Sequence, residues 1–275
     1  MDSAYADLDR PPLDPAALRR SLVDGASRWR DIVVRESVES TNAEVAELAL
    51  GGAGEGVVVV AEHQRGGRGR QGRVWQAPPR SGLAVSMLLR PDRVAAARWP
   101  WLPLLTGVAV AEAVRRCADV EAVLKWPNDV LVGGRKLAGI LVERVEVGGR
   151  AAAVVGIGLN VSSRAEELPV DDATSLLLVG ARTTDRTVVL REVLRVLDQL
   201  YGAWLSAEGD PDVGLADAYR RRCATLGRQV RAELPSGDVV TGAARRIDAE
   251  GRLVIETDVA VVAISAGDVV HLRDA

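Results

Sequence analysis

The hydrophobic period of this chain changes near Thr225, and that change limits it to a fold in two parts. Ahead of it, short continuous apolar runs alternate with stretches of helical spacing. Residues 57–61 and 83–89 read as buried strands, and residues 101–117 as a helix beneath the sheet they would form. Residues 122–125, 130–132, 137–147 and 151–161 read as further strands, with hairpin turns at Gly133-Gly134 and Gly148-Gly149. Residues 188–205 and 213–223 return to helical spacing. Beyond Thr225 the apolar positions alternate, as in Val230, Ala232 and Leu234 or Val269, Val270 and Leu272. They are cut by Pro235-Ser236-Gly237, the stretch 248–251 and Ala266-Gly267-Asp268. The expected class is α/β (α+β): a mixed-sheet domain over 31–224, then a small SH3-like β-barrel over 225–275. Residues 1–30 form an acidic N-terminal segment, in which Asp14 and Pro15 open a short helix carrying Leu18, Leu22 and Val23. Residues 32–34 read as a brief strand, and Thr41-Asn42-Ala43-Glu44 as a capping box whose helix stops at Gly51-Gly52.

Charge and cysteine content exclude several classes of protein. The net charge of −3 argues against a chain that coats nucleic acid, and apolar runs break before the ~18 residues a membrane span requires. The N-terminus lacks the basic start and apolar run of a secretion signal, and Cys117 and Cys223 have no metal-like spacing. The expected compartment is therefore the cytoplasm. Of the 35 Lys and Arg residues only Lys125 and Lys136 are lysine, which leaves 33 arginines. Asparagine occurs only at 42, 128 and 160. Where an Arg-rich chain keeps Lys, chance survival competes with a need for a compact rotatable ammonium rather than a planar fork, and clustering favours the second. Both lysines and Asn128 fall in one stretch, from Lys125-Trp126-Pro127-Asn128-Asp129 to Gly134-Arg135-Lys136-Leu137-Ala138-Gly139.

The segment Arg65-Gly66-Gly67-Arg68-Gly69-Arg70-Gln71-Gly72-Arg73-Val74-Trp75 concentrates four arginines and no acid between two buried strands. Its Gly67-x-Gly69-x-x-Gly72 spacing matches a dinucleotide fingerprint, but that fingerprint must open a helix and Ala77-Pro78-Pro79 follows. An RNA-binding Arg/Gly tail would sit in low-complexity sequence, which this is not. A solvated basic loop and a loop folding over an anionic ligand remain. There is no Ser/His/Asp set, no HExxH and no phosphate loop, and the histidines are only His63 and His271. Cations without a protein nucleophile point to attack on phosphorus by a nucleophile that the substrate brings.

Five motifs in order resemble the biotin protein ligase family: Glu39-Ser40-Thr41-Asn42; Glu62-His63-Gln64 running into the Arg/Gly segment through Trp75; Lys125-Trp126-Pro127-Asn128-Asp129; Gly134-Arg135-Lys136-Leu137-Ala138-Gly139; and Gly156-Ile157-Gly158-Leu159-Asn160. The resemblance runs from about residue 31 into the barrel and implies the class II aminoacyl-tRNA synthetase/biotin synthetase fold. It implies adenylation of biotin by ATP with magnesium, then transfer to one lysine of a biotin carboxyl carrier domain. Carried over by position, Ser40, Thr41 and Gln64 hold the ureido end of biotin. Asn42, Arg68, Gly69, Arg70, Trp75 and Gly139 complete the biotin site. Lys136 holds the carboxylate and α-phosphate together, and Arg70, Arg73, Lys125, Asn128 and Asn160 face the nucleotide. Arg70 and Lys136 are the implied catalytic cations. Asp129, the nearest carboxylate, is assigned deprotonation of the acceptor lysine, with a turn-stabilising role as the plainer reading. No magnesium-binding residue is identified.

About thirty residues precede the first matching strand, too few for the DNA-binding helix-turn-helix of some family members. A monofunctional ligase, monomeric or weakly dimeric, binding neither operator DNA nor membrane, is expected. Two other readings compete. One is a lipoate or octanoate attachment enzyme of the same superfamily, which would need an aliphatic tunnel in place of Ser40, Thr41 and Gln64. The other is a nucleic-acid-binding module using the Arg/Gly loop and barrel, betrayed by steep salt dependence.

Overall fold

The computed structural model describes residues 10–272; the acidic positions Asp2, Asp7 and Asp9 lie outside the described residues. Helix α1 (Pro15–Leu22) starts as its sequence dictates, with Asp14 accepting from the Ala17 N–H at 2.9 Å and Pro15 needing no partner. Two sheets follow. The larger is built from β1 (Asp31–Arg35), β2 (Val57–Ala61), β3 (Gly82–Leu89), β4 (Val123–Lys125), β5 (Asp129–Val132), β6 (Arg135–Val147) and β7 (Arg150–Asn160). Its spatial order is β1-β2-β3-β7-β6-β5-β4. Only β1 and β2 pair in parallel, so the sheet is mixed. Helices α2 (Thr41–Leu50), α3 (Trp101–Ala118), α4 (Arg186–Ser206) and α5 (Leu215–Arg220) accompany it.

Strand alternation divides this sheet into two unlike faces. On one, Val58, Val60, Val85, Met87, Val155, Ile157 and Ile140 join the large core with α3 and α4. Helix α3 is buried over most of its surface, as its largely apolar sequence requires, with Arg115 and Arg116 left exposed near its end. On the other face, Val59, Leu88, Ala152 and Val154 make a small core beneath Val45 and Ala49 of α2. Farther along that same face the side chains shrink to Ser86, Gly156 and Gly158, and the sheet there is bare.

The second sheet contains β8 (Gln229–Glu233), β9 (Val239–Ile247), β10 (Leu253–Glu256), β11 (Val261–Ile264) and β12 (Asp268–His271), in the order β11-β10-β9-β8-β12 and antiparallel throughout. It is the small C-terminal β domain that the change of period predicts. Its inner residues, among them Val230, Ile247, Leu253 and Ile255, join the large core. Two buried indoles stitch the junction: Trp101 Nε1 donates to the Ala249 carbonyl at 3.0 Å, and Trp126 Nε1 to that of Gly251 at 3.1 Å.

Two local expectations need correcting. The helix expected over 213–223 is shorter because residues 222–224 extend to pair with β4: the Leu124 N–H reaches the Arg222 carbonyl and the Ala224 N–H the Leu124 carbonyl, both at 2.8 Å. The N-cap of α2 is Ser40 rather than Thr41, with Ser40 Oγ accepting from the Ala43 N–H. Thr41 is the first helical residue, and both its N–H and its hydroxyl are spent on Gln64.

Candidate active site

The bare end of the sheet opens into a cavity of about 420 Å³. Its floor depends on two glycines of β7. A Cβ on Gly158 would lie 2.3 Å from Trp75 Cε2, and one on Gly156 would lie 2.2 Å from Asn42 Oδ1, so any side chain would displace what rests there. Gly139 of β6 pairs with Gly158, and the indole of Trp75 lies across both positions.

One end of the cavity is polar and uncharged. Gln64 Oε1 accepts from the Thr41 N–H at 2.7 Å and from the Thr41 hydroxyl at 3.0 Å. Behind it, Ser86 Oγ lies 2.7 Å from Thr41 Oγ1 and 2.6 Å from Asn42 Oδ1. Asn42 Nδ2 donates to Glu143 Oε2 at 2.6 Å. Asn42 thus reaches the cavity wall, but its amide is committed to holding α2 on β3 and β6. Ser40, Thr41, Asn42 and Gln64 are brought together as the motifs imply, and Thr41 and Gln64 are mutually oriented by their own bonds.

The Arg/Gly loop forms the next wall. Its stem is fixed: the Arg65 N–H reaches the Val38 carbonyl at 2.9 Å, the Gly66 N–H that of Glu39 at 2.8 Å, and the Trp75 N–H that of Gly67 at 2.9 Å. Its tip is a short 3-10 turn, Arg70–Gly72, with Gln71 in the left-handed region at φ 55°. Burial pushes the Arg70 guanidinium below its usual range, against the opposing pull of Asp129 and Asp268. Its Nη1 donates to Asn128 Oδ1 at 3.2 Å and reaches the Gly267 carbonyl at 3.5 Å. Arg73 is exposed and pairs with Asp268. Burial pushes the Asp268 carboxyl up, but the Arg73 hydrogen bond with the charges of Arg73, Lys125 and Arg70 outweighs it and holds the group below the usual range. The barrel therefore touches the loop through β12 and the residue before it.

The cationic end is completed by β4 to β6. Lys136 Nζ stands 2.7 Å from Asp129 Oδ1 and 5.7 Å from the centre of the Trp75 ring. Lys125 and Asp129 face each other across the β4–β5 pair. Asn128 donates to the Ile140 carbonyl at 3.0 Å, and buried Asn160 to that of Thr174 at 2.9 Å, so both amides brace the wall as well as line it.

Every site residue named from the motifs lines this one cavity, including Arg68, Gly69, Arg73 and Lys125. His63 does not; it borders a small separate hollow. His271 sits against Thr225, with Nε2 3.0 Å from Oγ1. Cys117 is half-buried, and burial pushes its thiol up, in keeping with an inert residue. Sequence reasoning missed Asp172 and the pair Gly267-Asp268, which line the cavity, and Ser86, which stands buried behind Thr41 and Asn42. Ser86 leaves a trace, a lone hydroxyl in the apolar run of β3. Asp268 leaves none, since its place is set by barrel docking. Among the described residues no group of three or more His, Cys, Asp or Glu could hold a metal ion, and no helix is long and apolar enough to cross a membrane.

Comparison with known proteins is specific. The family described as biotin/lipoate A/B protein ligase matches residues 34–160, and the biotin protein ligase C-terminal domain matches residues 225–272. A biotin–(acetyl-CoA-carboxylase) ligase of Mycobacterium tuberculosis is 44% identical over 96% of this chain and 97% of its own length. A bifunctional ligase/repressor of Bacillus subtilis is 33% identical over 86% of this chain and 73% of its own. Among solved structures, the biotin protein ligase from Aquifex aeolicus in complex with biotin and ATP superposes with a TM-score of 0.73 at 27% identity. That match covers 90% of this chain and all of the other.

Proposed function

The chain belongs to the biotin protein ligase family, and from that premise we propose how its cavity carries out the ligase reaction. It is an ATP-dependent ligase with two half-reactions. In the first, a carboxylate oxygen of biotin attacks the α-phosphorus of ATP. The bond to the β-phosphate breaks, pyrophosphate leaves, and biotinyl-5′-AMP remains. In the second, a lysine amine attacks the carbonyl of this mixed anhydride. AMP leaves with the C–O electrons, the amine loses a proton, and an amide is formed.

The observation that carries the assignment of residues is the polarity of the cavity. Ser40, Thr41 and Gln64 line a neutral hydrogen-bonding end, while Arg68, Arg70, Arg73, Lys125 and Lys136 line a cationic one, across a floor kept open by glycine. A neutral ureido ring with a carboxylate at the end of its chain has the same polarity. An aliphatic acid such as lipoate would leave the donors and acceptors of the first end unmatched. Lys136 places a rotatable ammonium where it contacts both the attacking carboxylate and the α-phosphate. That draws two anions together and offsets the charge that grows at phosphorus. Arg70 and Arg73 take the phosphates as the loop closes, and Trp75 covers the anhydride. Asp129 holds Lys136 before substrate arrives, and it is the carboxylate nearest to take the proton from the acceptor amine.

Magnesium is expected with ATP, yet the described residues offer it no cage. Of the acids at the cavity, Asp129 and Asp268 are each taken by a cation, which leaves Asp172. These residues do not fit a resident metal site, and a cation travelling on the nucleotide phosphates suits them better. Residues 31–224 serve as the catalytic domain and 225–275 as the C-terminal domain, which supplies Asp268 to the loop. The acceptor is the carrier domain of a biotin-dependent carboxylase. The test is pyrophosphate release from ATP on adding biotin without any acceptor, with lipoate as control. Biotin alone should trigger it, and Lys136→Ala should abolish it in a protein with native secondary structure. Wild-type release by that variant would refute the role of Lys136.

A further inference from the structure

We infer that Arg10 is a positioning residue for the ligase reaction, clamping the segment that grips the backbone of Lys136. The inference rests on the reading of Lys136 given above. Arg10 is only 6% exposed. Its fork closes on Glu167, with Nη1–Oε1 at 3.1 Å and Nη2–Oε2 at 2.5 Å, and Nη2 also donates to the Ser162 carbonyl at 2.9 Å. Planar two-point pairing of this kind fixes direction as well as distance. The same carboxylate accepts from the Arg164 N–H at 2.8 Å, closing the single 3-10 turn Ala165–Glu167. The hydrogen bond from Arg10 is the largest influence holding the Glu167 carboxyl below its usual range.

The segment beyond that turn forms the cavity rim through Pro169, Val170 and Asp172. It then takes hold of Lys136: the Lys136 N–H donates to the Asp172 carbonyl at 2.6 Å, and the Lys136 carbonyl accepts from the Thr174 N–H at 2.8 Å. Lys136 needs this support. The pairing of β6 with β7 begins only at Ala138, and the register with β5 shifts opposite Leu137. Residues 172–174 therefore stand where a neighbouring strand would otherwise hold the lysine.

The clamp also has a fixed base. The Pro11 carbonyl accepts from Arg186 Nη2 at 2.7 Å, and the Leu13 N–H donates to Glu62 Oε1 at 2.7 Å. Glu62 and Arg186 are themselves a buried pair at 2.6 Å, 2% and 4% exposed. Position is thus transmitted from the interior through Arg10 to the rim, and from the rim to the ammonium.

The test measures biotin-dependent pyrophosphate release per active site, with sites titrated from the burst. Arg10→Ala and Glu167→Gln should each lower kcat by roughly tenfold to a hundredfold, the range expected from about an ångström of misplacement. The biotin KM, set at the far end of the cavity, should stay within about twofold. The double variant should be no slower than the slower single variant, and Arg10→Lys, which keeps charge but loses the fork, should recover part of the rate. A merely structural role would reduce the titrated sites and leave kcat per site unchanged, and that result in either single variant overturns the proposal. Should Arg10→Ala fail to fold, Glu167→Gln carries the test alone. Lys136→Ala in the same assay separates the two readings: a normal rate there removes the premise, whereas its loss beside normal Arg10 and Glu167 variants removes only the clamp.

Discussion

Gly158→Ala tests whether the floor of the cavity exists to seat Trp75. The added Cβ would stand 2.3 Å from Trp75 Cε2 and 2.7 Å from both Cζ2 and Nε1. Ordinary carbon contacts need about 3.5 Å, so the indole must retreat by roughly 1 Å. It cannot slide along the floor freely, because the Trp75 N–H is bound to the Gly67 carbonyl. Overpacking of this size costs about 1–3 kcal/mol. Gly158 sits in a central strand bonded to β3 and β6 on both sides, whereas Trp75 ends a half-exposed loop, so the loop yields first. The cost then falls on the closed, ligand-bound state and weakens adenylate retention by about 5- to 150-fold, at about 1.4 kcal/mol per factor of ten. Dissociation of radiolabelled biotinyl-5′-AMP measures this directly, with a thermal melt alongside. A variant that retains adenylate as tightly as wild type while its melting temperature falls would refute the seating argument, since the strain would then lie in the sheet.

Two further outcomes follow from the same geometry. Arg70→Gly removes the bonds to Asn128 and the Gly267 carbonyl; the loop should open and release reactive adenylate, detected as biotin on unrelated proteins added to the reaction, and absence of such labelling would refute a gating role. Burial, reinforced by the charges of Lys125 and Arg228, pushes the His271 imidazole down to about 4. Between about pH 6.5 and 4 the unfolded chain therefore binds the proton that the folded protein refuses, and stability falls as pH falls, by about 1 kcal/mol for a ring this exposed. His271→Gln should lose less stability than wild type between pH 7 and 5 in urea titrations, and an equal loss would refute the assignment.

Much of this was legible along the chain because the signals are local. The apolar runs of β2 and β3, the glycine pairs at 133–134 and 148–149, and the change of period at Thr225 each act within a few residues. The rarity of Lys and Asn marks the cationic end, since a composition biased toward Arg makes each remaining Lys informative. The rest depends on contacts between distant segments. Thr41 was the better cap by pattern, but Gln64, on another segment, claims its hydrogen-bonding groups and leaves the cap to Ser40. Arg10 and Asp268 carry no local pattern at all. Their partners, Glu167 and Arg73, are fixed only once the sheet has brought the rim and loop together. Gly158 was visible as part of a motif, but its purpose was not, because the atom that needs its missing side chain belongs to Trp75.

The contact between β12 and the loop divides the support of the cavity between the two sheets. The pairing of β12 with β8 sets where Asp268 and the Gly267 carbonyl meet the Arg/Gly loop. The glycine floor, by contrast, belongs wholly to β6 and β7 of the large sheet. Loosening β12 therefore costs the loop two of its contacts and leaves the floor untouched. The tether of the loop and the floor beneath it are thus separately adjustable parts of one site.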